Sequence, residues 1–456
     1  MAAPAGFGSI PLGGGTLLTG VAAEVAATDF GRLVRRVPGA VLRPGSVEDV
    51  VAAIRWAGAH GLPIAARGAG HAMNGQGLVD GGIILDLRSL NTVHLVAEDR
   101  VVVDAGALWS AVVAATTARG LTPPVLTDYL ETTVGGTLSA GGLGGMSHRH
   151  GAQTDTVLEL DVVTGAGELV TCSREHEREL FDAVRAGFGQ LGVLVRATIR
   201  LIPALPMSRC YRLRYTDLGA LTADQSRLIA EDRFDYVEGS AGLGETGTPE
   251  YKLEVATFVP TLSDVDSDAL LAGLRHEPGA VEIEDTTYPE FLDRLAPGVA
   301  FRREIKEWEL PHPWLNVFLP GPAAAEVVGR IMAELTLVDL APCGVILLYP
   351  VHTARSGTPL LRLPDEPVAF LFALLLTADP AEPGAILRMA QRNRRFYECV
   401  LQAGGTTYPI GPPGLKPSEW VAHYGEAWPA FQAAKARFDP KRIMTPGPGF
   451  WPDSPA

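Results

Sequence analysis

Helical and strand periodicities alternate through the opening part of the chain. Val50, Val51, Ile54 and Ala57 recur at helical spacing behind Ser46, which with Asp49 three residues on gives an N-cap signal, and Gly61 marks the stop. Pro63 to Ala66 reads as a short strand feeding the loop RGAGH, Arg67 to His71. Further strands are expected over Ile83 to Leu87 and Val101 to Val103, and a helix over Trp109 to Arg119 closed by Gly120. Val157 to Thr164 and Glu168 to Thr171 flank a glycine-bearing turn, the signature of a hairpin. A helix from about Glu177 to Ala186 leads into GFGQLG (187–192) and a strand through Ile202, and Pro203 and Pro206 end this unit.

Beyond residue 205 the texture changes to long apolar strands, among them Tyr251 to Val259, Val345 to Val351 and Val368 to Thr377, separated by helical segments. Aromatic and Gly/Pro punctuation returns after about residue 405, in SEWVAHYGEAWPAFQAAKARFDP and TPGPGFW. That return suggests one domain of two parts, 20–205 and 405–456, with a domain over 206–404 inserted between them. The expected fold class is α+β.

Composition narrows the function classes. With 38 Lys plus Arg against 52 Asp plus Glu, a net charge of −14, and no basic run, a nucleic-acid or anionic-membrane partner is disfavoured. Val368 to Thr377 falls far short of the ~20 apolar residues needed to span a bilayer. The N-terminus lacks the basic start of a secretory signal, so a cytoplasmic location is expected. Cys172, Cys210, Cys343 and Cys399 form no CxxC pair and are expected to be buried structural thiols, with no metal site. His148 and His150 have the spacing of one strand face, but lack a third ligand nearby and are read as packing residues.

Two loops carry the candidate chemistry. AARGAGHAMNGQG (65–77) follows a strand and offers bare backbone N–H groups to a diphosphate, although Met73 stands where the dinucleotide fingerprint needs its third glycine. The second loop, Thr127 to Gly145, has six glycines and no charged side chain after Glu131, so its backbone can approach a flat polar ligand closely. Two such loops in one strand-rich domain favour a large bound cofactor over a packing corner.

Several strings, in order along the chain, make a more specific case: ARGAGHAMNGQG, LTDYLETTVGGTLSAGGLGGMSHRHGAQTDTVLELDVVTGAGELVTCS, FGQLGVLVRATIRLIP, FLDR, WELPHPWLNVFLPG and WVAHYGEAWPAFQAAKARFDPKRIMTPG. The chain thereby resembles the cytokinin dehydrogenases of the vanillyl-alcohol-oxidase superfamily, from about Thr28 to Phe450. The resemblance implies a two-part FAD-binding domain of the PCMH type, with an inserted substrate domain built on an antiparallel sheet flanked by helices. It implies FAD bound covalently through its 8α-methyl carbon to His71. Cofactor contacts carry over to Ala66, Gly68, Ala69, Gly70, Ala72 and Gln76 in the first loop, and to Asp128, Thr133, Ser139 and Leu143 in the second. Val193 follows in the third segment, and Tyr408 and Thr445 match cofactor-side positions more loosely. Asp128 matches the family's catalytic base, which takes or shares a proton while a hydride passes to the flavin. WELPHPW, with His312, is a structural hallmark of the family.

The chain also departs from the family. Val299 stands where the family places a Glu that binds the adenine-like ring, and loss of that acceptor argues against a cytokinin substrate. Ala72 replaces a serine, Pro448 replaces a glutamine, and Glu131 occupies the position at which related enzymes form a second tether through cysteine, so one tether is expected. The resulting expectation is an FAD-linked oxidase or dehydrogenase acting on CH–NH or CH–OH donors, as a monomer or homodimer, with oxygen or a quinone as electron acceptor. A true cytokinin dehydrogenase, an oxidative cyclase or desaturase, and a flavin-bound ligand-binding protein without turnover stay open as alternatives.

Overall fold

A computed structural model describes residues 6–412 and 414–451. The first part of the chain builds two small sheets. One is four-stranded, in the order Thr16–Thr19, Ala40–Arg43, Ile83–Asp86, Ile64–Arg67, with its last three strands parallel. The other is five-stranded and antiparallel, with Gly192–Arg200 at its centre between Arg100–Asp104 and Val157–Thr164. Val163, Val193 and Val195 of the second sheet pack with Ile64, Ile83 and Leu85 of the first. The loop after strand Ile64–Arg67 meets the glycine-rich loop that follows helix Trp109–Thr117 and the short strand Leu121–Thr122, with Gly68 against Thr133.

The middle of the chain forms an eight-stranded antiparallel sheet. Its order is Val281–Thr287, Met207–Tyr215, Pro249–Val259, Tyr236–Leu243, Val345–His352, Val368–Leu375, Leu315–Pro320, Thr406–Thr407. The apolar stretch at Val368 is thus a buried strand inside this sheet, flanked by Val345–His352 and Leu315–Pro320. Helices Leu218–Ala230, Gly321–Glu334 and Ala385–Gln402 cover the sheet. The mixed α+β architecture agrees with expectation.

The chain then returns to its beginning. Helix Trp428–Phe438 packs on Arg178–Val184, and the Thr445 amide donates to the Ile64 carbonyl at 2.8 Å. A buried ion pair, Lys435 with Asp439 at 2.7 Å, secures this return, because Lys435 Nζ also donates to the Gln190 carbonyl while Asp439 accepts from the amides of Ile443 and Met444. Gln190 in turn donates to the Thr445 carbonyl at 2.7 Å and accepts from the Trp451 indole at 2.8 Å.

Local expectations needed three corrections. Helix Val47–His60 begins and ends where expected, with Gly61 left-handed at φ 64, but Ser46 makes no side-chain cap. Asp49 is buried and holds the amides of Gly13 and Gly45 at 2.6 and 2.8 Å, so a long-range contact has taken the carboxylate that the capping box required. His148 and His150 lie on the single helical turn Ser147–His150, not on a strand. His148 packs inside, with its ring nitrogens on the carbonyls of Gly145 and Phe234. Cys172 and Cys210 are buried, whereas Cys343 and Cys399 are only partly so.

Candidate active site

The loop after Ile64–Arg67 turns sharply at Gly70 (φ 77) and Gly75 (φ 75), conformations that suit glycine. A Cβ on Gly68 would lie 1.9 Å from Thr133 Oγ1, so the two glycine-rich loops touch at a point where only a bare backbone fits. Among the described residues, Gly68, Ala69 and His71 make no hydrogen bond to protein. Their N–H groups stand free beside a cavity, the arrangement that receives an anionic group. The second loop carries the short helix Val134–Leu138, capped by Thr133, and Gly142 donates from its amide to the buried Tyr408 hydroxyl at 3.0 Å. Thr445 donates to the Gly189 carbonyl at 2.9 Å, bringing the third loop and the C-terminal segment to the same wall.

These loops and the eight-stranded sheet enclose one cavity of about 730 Å³, within the range of cofactor and ligand sites. It is lined by His71, Ala66, Gly68, Ala69, Gly70, Ala72 and Gln76 from the first loop. Asp128, Thr133, Ser139 and Leu143 come from the second, joined by Val193, Tyr408, Thr445 and Val299. These candidate cofactor, base and substrate residues therefore meet the same space, whereas Glu131 and Pro448 are not among its lining residues. Unpaired backbone donors, glycines that bar a Cβ and the buried Trp314 indole N–H and Asn316 side-chain Nδ2, which have no protein partner, make the lining fit FAD. No group of three or more His, Cys, Asp or Glu that could hold a metal occurs among the described residues.

His71 faces the cavity from the cofactor side. Burial, followed by the neighbouring charges of His312 and Arg303, lowers its pKa to about 3, so the imidazole is neutral at physiological pH. His312 is likewise lowered to about 4, chiefly by burial.

The other side of the cavity is built around Asp128 by side chains that sequence reasoning missed. Asp128 accepts from Arg294 Nη2 at 2.7 Å and from the Tyr236 hydroxyl at 2.9 Å. Arg294 also donates through Nε to Glu254 at 3.0 Å and packs over the rings of Tyr236 and Phe291. Glu254 sits between Arg212 and Glu238 as their cross-strand neighbour. Glu238 is buried, one of its oxygens has no protein partner, and its pKa is pushed well above the usual carboxylate range by burial and then by the charge of Asp128. The same burial that raises it, next to the cross-strand Glu254, favours the uncharged form of the carboxyl. The available signal was strand alternation: Tyr236, Glu238 and Ser240 share one face of strand Tyr236–Leu243, their polar groups alternating with Val237, Gly239 and Ala241. Val299 lines the cavity from helix Ala296–Glu304, and Val345, Leu347, Leu371 and Leu375 complete an apolar wall.

The fold and cavity are those of an FAD-dependent oxidoreductase. Residues 38–173 match the model of an FAD binding domain, and residues 245–451 match that of cytokinin dehydrogenase 1, FAD and cytokinin binding. The chain is 38% identical to cytokinin dehydrogenase 9 of Oryza sativa subsp. japonica, over 93% of this chain and 88% of the relative. It is 42% identical to an uncharacterized oxidoreductase, ORF5 in the fasciation locus of Rhodococcoides fascians, over 92% and 95% of the two chains. The chain belongs to the cytokinin dehydrogenase family of PCMH-type flavoenzymes. Its fold is shared with 6-hydroxy-D-nicotine oxidase from Arthrobacter nicotinovorans, with a TM-score of 0.74 and 23% identity over 97% of this chain and 98% of that one. It is thus an FAD-linked oxidase or dehydrogenase that acts on a small molecule and passes electrons to an acceptor. No helix among the described residues is long and apolar enough to cross a membrane.

Proposed function

We propose that the enzyme takes a hydride from a C–H next to nitrogen or oxygen of a small organic substrate, with FAD tethered to His71 and Asp128 as the base. The observation that carries this reading is that the same cavity is lined both by a neutral imidazole and by a carboxylate held by two donors. A neutral imidazole has the free electron pair that a nucleophile needs. FAD, when bound, supplies the two-electron acceptor, and a covalent tether raises its electron affinity. Asp128 takes or shares the heteroatom proton as the hydride leaves. Arg294 and Tyr236 fix the carboxylate in place, and Glu238, whose pKa burial pushes well above the usual carboxylate range, lines the same cavity. The apolar wall excludes water from the reacting carbon.

The tether is tested by acid precipitation. Flavin should stay with the protein, a peptide spanning His71 should carry the mass of FAD, and His71→Ala should bind FAD reversibly with a lower flavin potential. Quantitative release of flavin from the wild type by trichloroacetic acid would refute the tether.

We infer that the substrate is an amine or alcohol other than a cytokinin, because Val299 cannot accept a hydrogen bond from a purine N–H. A second reading, a true cytokinin dehydrogenase, is supported by the match of residues 245–451 to a cytokinin-binding model. The two separate on kcat/KM for isopentenyladenine. Slow wild-type turnover that improves in Val299→Glu supports the first reading, and efficient wild-type turnover supports the second.

A further inference from the structure

His71 is oriented without hydrogen bonds. Neither of its ring nitrogens has a protein partner among the described residues. The χ2 torsion of a histidine is intrinsically broad, so packing must set the plane of the ring. That packing is a three-ring stack. Phe30 lies 4.1 Å from His71 at an interplanar angle of 19°, and on Phe30 rests His312, at 4.0 Å and 26°.

Backbone bonds lock the stack on both sides of the histidine. The Phe30 amide donates to the Gly70 carbonyl at 2.9 Å and the Gly31 amide to the Ala72 carbonyl at 3.0 Å, bracketing His71 from its two chain neighbours. His312 joins from the eight-stranded domain: its amide donates to the Gly31 carbonyl at 2.8 Å, and its Nδ1 lies 3.1 Å from the Phe30 carbonyl. Gly31 admits no other residue, since a Cβ there would lie 1.9 Å from the Met73 carbonyl oxygen. Trp308 packs on Phe30 at 4.8 Å and Tyr129 on His71 at 5.0 Å, so further aromatic rings flank the stack.

We propose that Phe30, backed by His312, is a positioning residue that sets the plane of His71 for bond formation to the flavin. The inference rests on the tether reading given above. In the step it serves, a ring nitrogen of His71 forms a bond to the 8α carbon. The imidazole N–H and the 8α-methyl group each lose a proton, and the two electrons enter the flavin ring, from which the electron acceptor of normal turnover removes them. A nucleophile free to rotate about χ2 spends less time with its lone pair on the carbon, and such misorientation costs on the order of 10- to 100-fold in rate.

The test follows acid-stable flavin with time after FAD is added to protein purified from riboflavin-limited cells, alongside the dissociation constant for reversible FAD binding. Phe30→Leu should slow the appearance of acid-stable flavin by about 10- to 100-fold while reversible binding stays near wild type. Phe30→Tyr, which keeps the ring, should restore the rate, a rescue that a merely space-filling role does not require. His312→Leu leaves Phe30 in place and should give a smaller loss; it also serves if Phe30→Leu does not fold. Wild-type incorporation in both Phe30→Leu and His312→Leu, or in His312→Leu alone if the former does not fold, would overturn the inference and leave the tether standing. A wild type that forms no acid-stable flavin would overturn the tether reading and this inference with it.

Discussion

The two sides of the cavity are made of different material. The cofactor side is backbone: Gly68, Ala69 and His71 present unpaired main-chain groups, and glycines keep the neighbouring loops close. The opposite side is a knot of ionisable side chains, Asp128, Tyr236, Glu238, Glu254 and Arg294, converging from separate strands and loops. A backbone cradle binds whatever has the right shape and charge, and it tolerates changes in side chains that point elsewhere. A charge network depends on each member, because removing one leaves its partner buried and unpaired.

This contrast predicts where substitutions act. The largest effect is expected from Asp128→Asn, which keeps the shape but cannot take a proton. Stopped-flow flavin reduction should slow by roughly 10²- to 10⁴-fold with flavin content unchanged, and an unchanged reductive half-reaction would place the base elsewhere.

Lys435→Met acts on stability instead. It strands Asp439, which is fully buried, and should cost about 3–5 kcal/mol in denaturant unfolding. A loss below about 1 kcal/mol would show that water reaches this pair.

On the cofactor side, Gly68→Ala should lower flavin content, because its Cβ competes with Thr133 for the same space. The flavin that remains should be reduced at a rate within a few-fold of wild type. A selective fall in the reduction rate at full flavin content would blur the division between the two sides.

The smallest effect concerns pH. Because the Glu238 pKa is raised in the folded state, folding binds a proton that the unfolded chain releases above about pH 4.3. This group therefore lowers stability as pH rises through that value and toward its folded pKa. Glu238→Gln should flatten that decline in a series of melting temperatures, and an identical pH profile would show that Glu238 is ionised in the fold. Histidines have the opposite sign: His71 and His423, lowered to about 3, and His148 and His312, lowered to about 4, favour the fold above pH 6.5 and lose that contribution as pH falls toward those values.

The same contrast explains what could be read from the sequence. The cofactor loops were legible because a backbone cradle is encoded locally, as glycines within a few residues of His71. The charge network was not. Arg294 stood in view in the FLDR string, but its partner Asp128 lies 166 positions earlier, and only the register of the antiparallel sheet brings Glu238 beside Glu254. Ser46 and Asp49 show the same limit on a small scale. Their spacing fits a capping box, yet Asp49 bonds to Gly13, a contact that no local pattern contains. The Phe30 stack combines both cases, since the histidine was evident and the ring that sets its plane lies 41 positions before it.

The return of the chain through Lys435 and Thr445 also has a consequence for the order of events in synthesis. The wall near Gly189 and Val193 is held by contacts from residues 435–451, which the ribosome adds only after the strands of the eight-stranded sheet. At about 5–20 residues per second, roughly 10 to 50 seconds separate the emergence of the third loop from that of Thr445. Through that interval the nascent chain carries His71 and both glycine-rich loops without the segment that supplies Lys435, Thr445 and Trp451 to the wall.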